Sequence, residues 1–261
     1  MSGPVRVQIE DIFWSVFLLL VAPAIGSFLG VLLDRLPRSE DVMGKRSSCR
    51  TCHAKLGPLD LIPILSFIAL RGKCRYCHSA LAGWHLYLEI AALGLAFMAV
   101  SAGGDPFEIW LNALFLWVLL GLLTADVLWF RLPDTLNIAL AVVTAVMAAQ
   151  HGQIGLISAL AGAAVGSGSF MALRIGYQAL RGREGLGMGD VKLMVGLGAF
   201  AGPFDVPVLL LMASLGALAA GLVVHLRARA QGAWATRRLP FGAALCCAAI
   251  VIWVFRHLTA I

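Results

Sequence analysis

Charged residues are scarce in this chain of 261 residues, and their scarcity argues against a soluble fold. Only 13% of the residues are charged and 60% are hydrophobic, whereas a soluble domain is nearer a quarter charged and half apolar. The mean hydropathy of +0.89 points the same way. A net charge of +6 could suggest a nucleic-acid partner, but the basic residues lie in short loops between apolar runs, where they set membrane topology. The composition therefore predicts a polytopic membrane protein that does not bind nucleic acid.

Long apolar runs predict an all-α membrane bundle of about eight transmembrane helices. The first run, Ile12 to Leu33, has no charged residue. It is too long for the core of a cleavable signal peptide and lacks a basic start. The uncharged stretch from Thr135 to Leu173 is long enough for two helices, with a turn at His151-Gly152-Gln153. The predicted spans are 12–33, 80–101, 109–125, two within 135–173, 193–204, 206–224 and 239–255.

Basic residues sort onto one side of this bundle. With eight spans, 18 of the 20 Lys and Arg residues fall on one face, and only Arg6 and Arg256 fall on the other. The positive-inside rule assigns the basic face to the cytoplasm. We expect three parts: a first transmembrane helix (1–33), a cytoplasmic loop (34–79) and a membrane-embedded core (80–261). We find no convincing internal repeat.

Two aspartates fall at the same membrane boundary in this topology. Asp126 ends the third span, which runs inward, and Asp190 opens the sixth, which runs outward. Two carboxylates that share a site cannot easily both ionise, and aspartic hydrolysis needs one charged and one neutral member. Each aspartate alone could be a helix cap or a solvated boundary residue, but together they favour catalysis. Helix dipoles suggest that Asp190 is the charged base and Asp126 the neutral acid.

Two glycines precede Asp190 and suggest a substrate contact. Gly187 and Gly189 can adopt positive φ and let the backbone approach a bound chain. We therefore expect an extended substrate strand to pair with this stretch.

Three further charged residues have open or ordinary interpretations. Glu89 lies in the middle of a predicted span, where it could serve a buried structural hydrogen bond or a site. Lys192 could pair with a carboxylate, but snorkelling to the interface is favoured. Asp134 follows Pro133 and is expected to be the N-cap of the fourth span.

Four of the six cysteines form two C-x-x-C pairs in the 34–79 loop. Their spacing, C-x2-C-x21-C-x2-C, is close to that of ribbon-type structural zinc sites. The alternatives are two disulfides or free thiols, but disulfides are disfavoured in the reducing cytoplasm. Cys246 and Cys247 lie in an apolar run and are expected to be packing residues. The predicted zinc ligands are Cys49, Cys52, Cys74 and Cys77.

Several short motifs follow one another along the chain. They are Gly26-Ser27-Phe28-Leu29 and Arg35-Leu36-Pro37 at the end of the first span, Asp60-Leu61-Ile62-Pro63-Ile64-Leu65-Ser66, Arg71-Gly72-Lys73-Cys74-Arg75-Tyr76-Cys77, Asp126 followed by Pro133-Asp134, Gly187-Met188-Gly189-Asp190-Val191-Lys192, and Pro240-Phe241-Gly242. Together and in this order they resemble the prepilin leader peptidase/N-methyltransferases, which are polytopic aspartic proteases of the GxGD type.

The resemblance implies an activity and a location. Members of this family cut the basic leader from type IV prepilins or type II secretion pseudopilins, on the cytoplasmic face of the bacterial inner membrane. It implies that Asp126 and Asp190 are catalytic and that proteolysis needs no metal. Members with the cysteine loop usually also methylate the new N-terminal residue, with S-adenosylmethionine as the methyl donor.

Two departures and two alternatives accompany this resemblance. Arg50 stands where many relatives have proline, and Leu128 stands where many have a second acidic residue. No glycine-rich fingerprint for the methyl donor is evident, so a peptidase without methyltransferase activity, in which the cysteine loop is a structural or docking element, is one alternative. A membrane transporter or scaffold is the other, although transporter sites lie near the membrane midplane.

Overall fold

The computed structural model describes residues 9–38, 40–41, 44, 46–150, 154–182, 185–230 and 239–258, without the side chains of 228–230 and 258. Over these residues the secondary structure is helical, and the only β-structure is two isolated β-bridges in the cysteine loop. The expected turn at 151–153 lies outside them. The helices α1 to α9 are, in order, Ile9–Arg35, Leu65–Ala69, Trp84–Ala102, Pro106–Trp129, Asp134–Ala149, Leu156–Arg181, Met188–Ala201, Val206–Ala230 and Phe241–Leu258.

The all-α, multi-pass architecture is confirmed. Every predicted span corresponds to a helix, and five helices (α1, α3, α4, α6 and α8) are long and apolar enough to cross a membrane. Helices α5 and α9 are apolar but shorter, and α7 has only 14 residues. The described part of the chain thus contains five candidate spans, and the count of eight stays a prediction.

The chain divides into two compact units, Met1–Leu120 and Gly121–Ile261. In the first unit α1 packs directly on α3. A Cβ atom at Gly26 would lie 2.6 Å from the Cα atom of Glu89, so only glycine permits this approach. The buried indole of Trp117 donates a 2.9 Å hydrogen bond to the carbonyl of Ala92. These contacts fix the start of α3, which carries Glu89.

In the second unit α7 packs against α5, α6 and α9. Small residues make this packing close: a Cβ atom at Gly162 of α6 would overlap the carbonyl oxygen of Gly198, and one at Gly196 would lie 2.6 Å from Cγ of Leu140 in α5. Most of α7 after its first turn is buried. Because neighbouring helices cover α7, this short helix can be almost wholly apolar. The same packing holds its first turn, which carries Asp190, among those helices.

One arginine ties the far end of α7 to α9. Arg256 donates hydrogen bonds of 2.9 Å and 2.8 Å to the carbonyls of Phe200 and Ala201, and it pairs with Asp205 at 2.7 Å. These carbonyls belong to the last turn of α7. Arg256 therefore fixes α9 alongside α7.

Candidate active site and metal site

Asp126 lies in the last turn of α4 and faces the start of α9. Its side chain is buried, and Oδ2 accepts a 2.8 Å hydrogen bond from the backbone N–H of Ala243. The backbone of Gly242 also hydrogen-bonds to this carboxylate. A Cβ atom at Gly242 would lie only 3.1 Å from Oδ2. The glycine of the Pro-Phe-Gly motif thus leaves room for the carboxylate to reach the N–H groups of α9.

Asp190 lies in the first turn of α7 and shares a site with Asp126. The backbone of Gly187, the N-cap of α7, hydrogen-bonds to the Asp190 carboxylate. Asp190 is half-buried, and its charge interacts with that of Asp126. The structure therefore brings together two carboxylates that are 64 residues apart in the sequence.

The conformations of the two motif glycines differ from the expectation. Gly187 has φ −69° and ψ 143°, an extended conformation, and Gly189 is helical. Positive φ is therefore the wrong reason for glycine at these positions. Space is the observed reason: a Cβ atom would lie 3.3 Å from Oδ2 of Asp190 at Gly187, and 3.2 Å from Cβ of Leu132 at Gly189.

Two further residues lie at this site. Leu132, in the connector between α4 and α5, packs between the first turns of α7 and α9, since its Cδ1 would lie 3.0 Å from a Cβ atom at Gly242. Cys246 is fully buried in α9, and both aspartates act on it electrostatically. Sequence analysis treated Cys246 as packing and did not consider Leu132, because no local pattern marks either residue.

The last residue of the Gly187–Lys192 motif forms an ion pair. Nζ of Lys192 is 2.8 Å from both carboxylate oxygens of Asp134. Pairing, the less favoured alternative for Lys192, is thus the observed one. The N-cap of α5 is Pro133, so Asp134 is the first helical residue and not the cap. The pair joins α5 to α7 beside Asp190.

The four loop cysteines form a cluster that fits a metal ion. Their sulfur atoms all lie within 4.8 Å of one another, with Cys49 to Cys77 at 3.8 Å and Cys52 to Cys74 at 4.0 Å. A tetrahedral zinc site with Zn–S bonds of about 2.3 Å places its sulfurs roughly 3.8 Å apart. All four cysteines are free of disulfides. The cluster is therefore compatible with a tetrahedral four-thiolate site that leaves no ligand position open.

Backbone and hydroxyl hydrogen bonds prepare the sulfurs for a cation. The pKa of Cys49 is lowered to about 5, because the backbone N–H groups of Cys52 and Thr51 point at its sulfur. The pKa of Cys77 is also lowered, chiefly by the hydroxyl of Ser79. Both shifts favour the thiolate form that binds metal. The pKa of Cys52 is instead raised to about 11, because the backbone hydrogen bond with Ala54, which lowers it, is outweighed by burial and by the three neighbouring thiols.

The two halves of the cysteine cluster repeat one another, which corrects the expectation of no internal repeat. The backbone N–H of His53 donates a hydrogen bond to the carbonyl of Cys49, and the backbone N–H of His78 donates one to the carbonyl of Cys74, each at 3.0 Å. Both histidines have positive φ, 58° and 57°. A shift of 25 residues superposes Cys-Arg-Thr-Cys-His on Cys-Arg-Tyr-Cys-His.

The arginine of each repeat has an acidic partner. Arg50 pairs with Glu40 at 2.9 Å and also with Asp34 at the end of α1. Arg75 pairs with Asp60 at 2.7 Å. Arg50 therefore links the first half of the cluster to α1.

Glu89 accepts a structural hydrogen bond in the first unit. It is buried in α3, and its Oε2 accepts a 2.7 Å hydrogen bond from the backbone N–H of Ile64. Ile64 has φ 62°, an outlier for a β-branched residue. The buried carboxylate thus holds a strained turn of the loop against the helix.

The fold and its paired acidic residues define a multi-pass membrane protein with a candidate acid–base site at the end of a helical bundle. Residues 20–102 match the model of the bacterial peptidase A24 N-terminal domain, and residues 113–223 match that of the type IV leader peptidase family. No solved structure matches the chain.

Relatives named prepilin leader peptidase/N-methyltransferase align over most of the chain. The relative from Aeromonas hydrophila is 32% identical over 256 residues, covering 88% of this chain and 86% of the relative. Those from Dickeya chrysanthemi and Neisseria gonorrhoeae are 32% and 31% identical, covering 80% and 85% of this chain and 82% and 83% of the relatives. The chain belongs to the type IV leader peptidase family.

Proposed function

We propose that this protein is a membrane aspartic endopeptidase that removes the leader peptide from type IV prepilins or type II secretion pseudopilins. The observation that carries the proposal is the shared site of Asp126 and Asp190, whose neighbours Gly242 and Gly189 both pack on Leu132. Family membership and the names of the relatives support the substrate class. Cleavage would take place at the cytoplasmic face of the bacterial inner membrane, a location that the predicted sorting of Lys and Arg supports for both aspartates.

The chemistry needs one carboxylate and one carboxylic acid. The carboxylate takes a proton from water as the oxygen attacks the scissile carbonyl, and the acid donates a proton to the carbonyl oxygen. The resulting diol then collapses: the C–N bond breaks, a proton passes to the leaving amine, and the starting protonation of the pair returns. Two carboxyl groups that share one proton meet this requirement.

We assign the resting carboxylate to Asp126, which reverses the assignment from helix dipoles alone. Asp126 ends α4, but it also faces the N-terminus of α9, whose N–H groups hydrogen-bond to it. Donors of this kind favour a charged oxygen. Asp190 has one backbone partner, Gly187. Asp190 would therefore hold the shared proton.

The glycines offer a place for the substrate backbone. Gly187 is exposed and extended, so its main chain can lie beside an extended peptide, and Gly189 is expected to let that peptide approach Asp190. A prepilin has a basic leader followed by an apolar helix, and such a chain can enter from the bilayer.

The decisive experiment is cleavage of a prepilin by Asp126→Asn and Asp190→Asn variants in proteoliposomes. Each variant should lose activity by about 100- to 10,000-fold, the usual contribution of a general acid or base. Asp105→Asn is the matched control, because Asp105 is an exposed helix cap that asparagine can replace. Near-normal cleavage by either active-site variant would refute the paired mechanism.

We further propose that the protein methylates the new N-terminus of the cleaved substrate with S-adenosylmethionine. The N-methyltransferase part of the relatives' names supports this second step. Transfer of a labelled methyl group from the donor to pre-cleaved substrate tests it. No transfer by the wild-type protein, with cleavage intact, would leave a peptidase whose cysteine loop is a structural or docking element.

We propose that the metal is structural zinc, held by Cys49, Cys52, Cys74 and Cys77 in the 34–79 loop. The sulfur distances and the lowered pKa values of two thiols support this ligand set. With four protein ligands, the ion would hold the two halves of the loop together and offer no site to a substrate. The peptidase chemistry would stay within the membrane core, 80–261.

A further inference from the structure

A stretch of the loop between the two halves of the cysteine cluster is apolar and exposed. Residues 58–70, which we call the apolar segment, include a short 3-10 helix (Pro58–Leu61) and α2. Sequence analysis treated 34–79 as one cytoplasmic loop and quoted 60–66 only as a motif. Its exposed large side chains, with the exposed fraction of each, are Leu59 (67%), Leu61 (46%), Ile62 (40%), Leu65 (66%) and Ile68 (62%).

The apolar segment exposes no charge of its own. Its one acidic residue, Asp60, has a side chain only 6% exposed that pairs with Arg75 and accepts the N–H of Gly57. Basic residues flank the segment instead: Lys55, Arg71 and Lys73 are all exposed. An apolar surface with a basic rim is complementary to the interface of an anionic membrane.

The hydrogen bond from the N–H of Ile64 to Glu89 fixes the position of the apolar segment along the axis of α3. Glu89 is five residues into α3, a candidate membrane span that begins at Trp84. At 1.5 Å per residue this lies about 7.5 Å along the helix from its start. The middle of the apolar segment therefore lies level with the first turns of this candidate span and not above them.

We propose that residues 58–70 are an interfacial element that inserts the side chains of Leu61, Leu65 and Ile68 into the cytoplasmic leaflet. Lys55, Arg71 and Lys73 then face the lipid phosphates. The segment anchors the metal loop to the membrane surface. This inference requires α3 to span the membrane, and it is independent of the roles of Asp126 and Asp190.

The test is the depth of a nitroxide side chain in the full-length protein, reconstituted into vesicles that contain anionic lipid. The label is placed at Ile68 and, separately, at Leu65 through a genetically encoded keto amino acid, so that the native cysteines stay intact. Thr51, exposed in the first half of the cysteine cluster, is the aqueous control, and Leu215, an exposed residue in α8, is the lipid control. Power saturation then compares collisions with oxygen, which partitions into lipid, and with a water-soluble nickel chelate.

We expect labels at both test positions to collide with oxygen more than with nickel, as at Leu215, and the label at Thr51 to show the reverse. A nickel accessibility equal to that at Thr51 would mean that the segment lies in water and would overturn the proposal. Low accessibility to both reagents would mean that protein, either another part of this chain or a substrate, covers the segment, and would overturn it equally.

Discussion

The backbone N–H of Ala243 donates a 2.8 Å hydrogen bond to Oδ2 of Asp126, although 117 residues separate them. This bond joins the end of α4 to the beginning of α9. Arg256 joins the other end of α9 to the last turn of α7, whose first turn carries Asp190. Helix α9 therefore links the two aspartates through its two ends, and changes at its start should affect the reaction.

The first prediction concerns Gly242, where there is little room for a side chain. A Cβ atom there would lie 3.1 Å from Oδ2 of Asp126 and 3.0 Å from Cδ1 of Leu132. Gly242→Ala should lower the cleavage rate by about tenfold or more, because small displacements of catalytic groups are costly. Prepilin cleavage measures the effect. Gly216→Ala in α8 is the control, since no atom lies within 4 Å of its Cβ position, and equal rates for the two variants would contradict the prediction.

The second prediction concerns the contact of α6 with α7. A Cβ atom at Gly162 would overlap the carbonyl of Gly198, whereas one at Gly168 on the same helix would meet nothing within 4 Å. Gly162→Ala should destabilise the protein by about 1–3 kcal/mol, the usual cost of overpacking. Thermal unfolding in detergent should show a lower midpoint for this variant than for Gly168→Ala. If the two midpoints coincide, the helices do not pack at this distance.

The third prediction concerns the metal. Cys49→Ser removes one of the four clustered sulfurs and should reduce bound zinc from about one ion per chain to a small fraction of that value, because structural sites need all four ligands. Elemental analysis of purified protein measures the change. Cys247→Ser is the control, since Cys247 is an exposed cysteine of α9 outside the cluster. Full zinc content in Cys49→Ser would remove Cys49 from the ligand set.

The fourth prediction concerns Asp60 and pH. The N–H of Gly57 and the guanidinium of Arg75 hold the pKa of Asp60 below its ordinary value. A lowered pKa means that these contacts stabilise the loop above the pKa of an unfolded aspartate, about 3.9, and that the gain is lost as the pH falls through the lower folded value. Asp60→Asn should thus speed hydrogen exchange in residues 57–81 at neutral pH.

The informative quantity is the difference in hydrogen-exchange protection of residues 57–81 between wild type and Asp60→Asn, because thiol protonation affects both proteins alike. That difference should stay constant from pH 7 down to about pH 4 and shrink below it. A difference that grows on acidification would show that Asp60 does not act through its charge.

The sequence was sufficient to find the long helices and to predict that the two aspartates share a boundary. Apolar run length located the helices, and the sorting of Lys and Arg brought Asp126 and Asp190 to one boundary. It could not show what surrounds them. The N–H groups of α9 and the side chain of Leu132 reach the site only through tertiary packing, which no local spacing encodes. The reason for glycine at position 189 was predicted wrongly because the residue that limits the space there, Leu132, lies far away in the chain.

The repeat in the cysteine loop could have been found, because both halves share Cys-Arg-x-Cys-His. Its short length and the unrelated residues between the halves hid it. The apolar segment was missed because the basic residues of 34–79 made the whole loop look polar, although residues 58–70 contain no lysine or arginine.

The hydrogen bond between Ile64 and Glu89 joins two parts of the chain that are made at different times. Ile64 lies between the two halves of the metal cluster, and Glu89 follows the last cysteine in the chain. All four cysteines precede Glu89, so during synthesis their sulfurs leave the ribosome before the acceptor of the Ile64 N–H does. The turn at Ile64 can therefore make this hydrogen bond only after the start of α3 has been made, which ties the conformation of the loop to the formation of that helix.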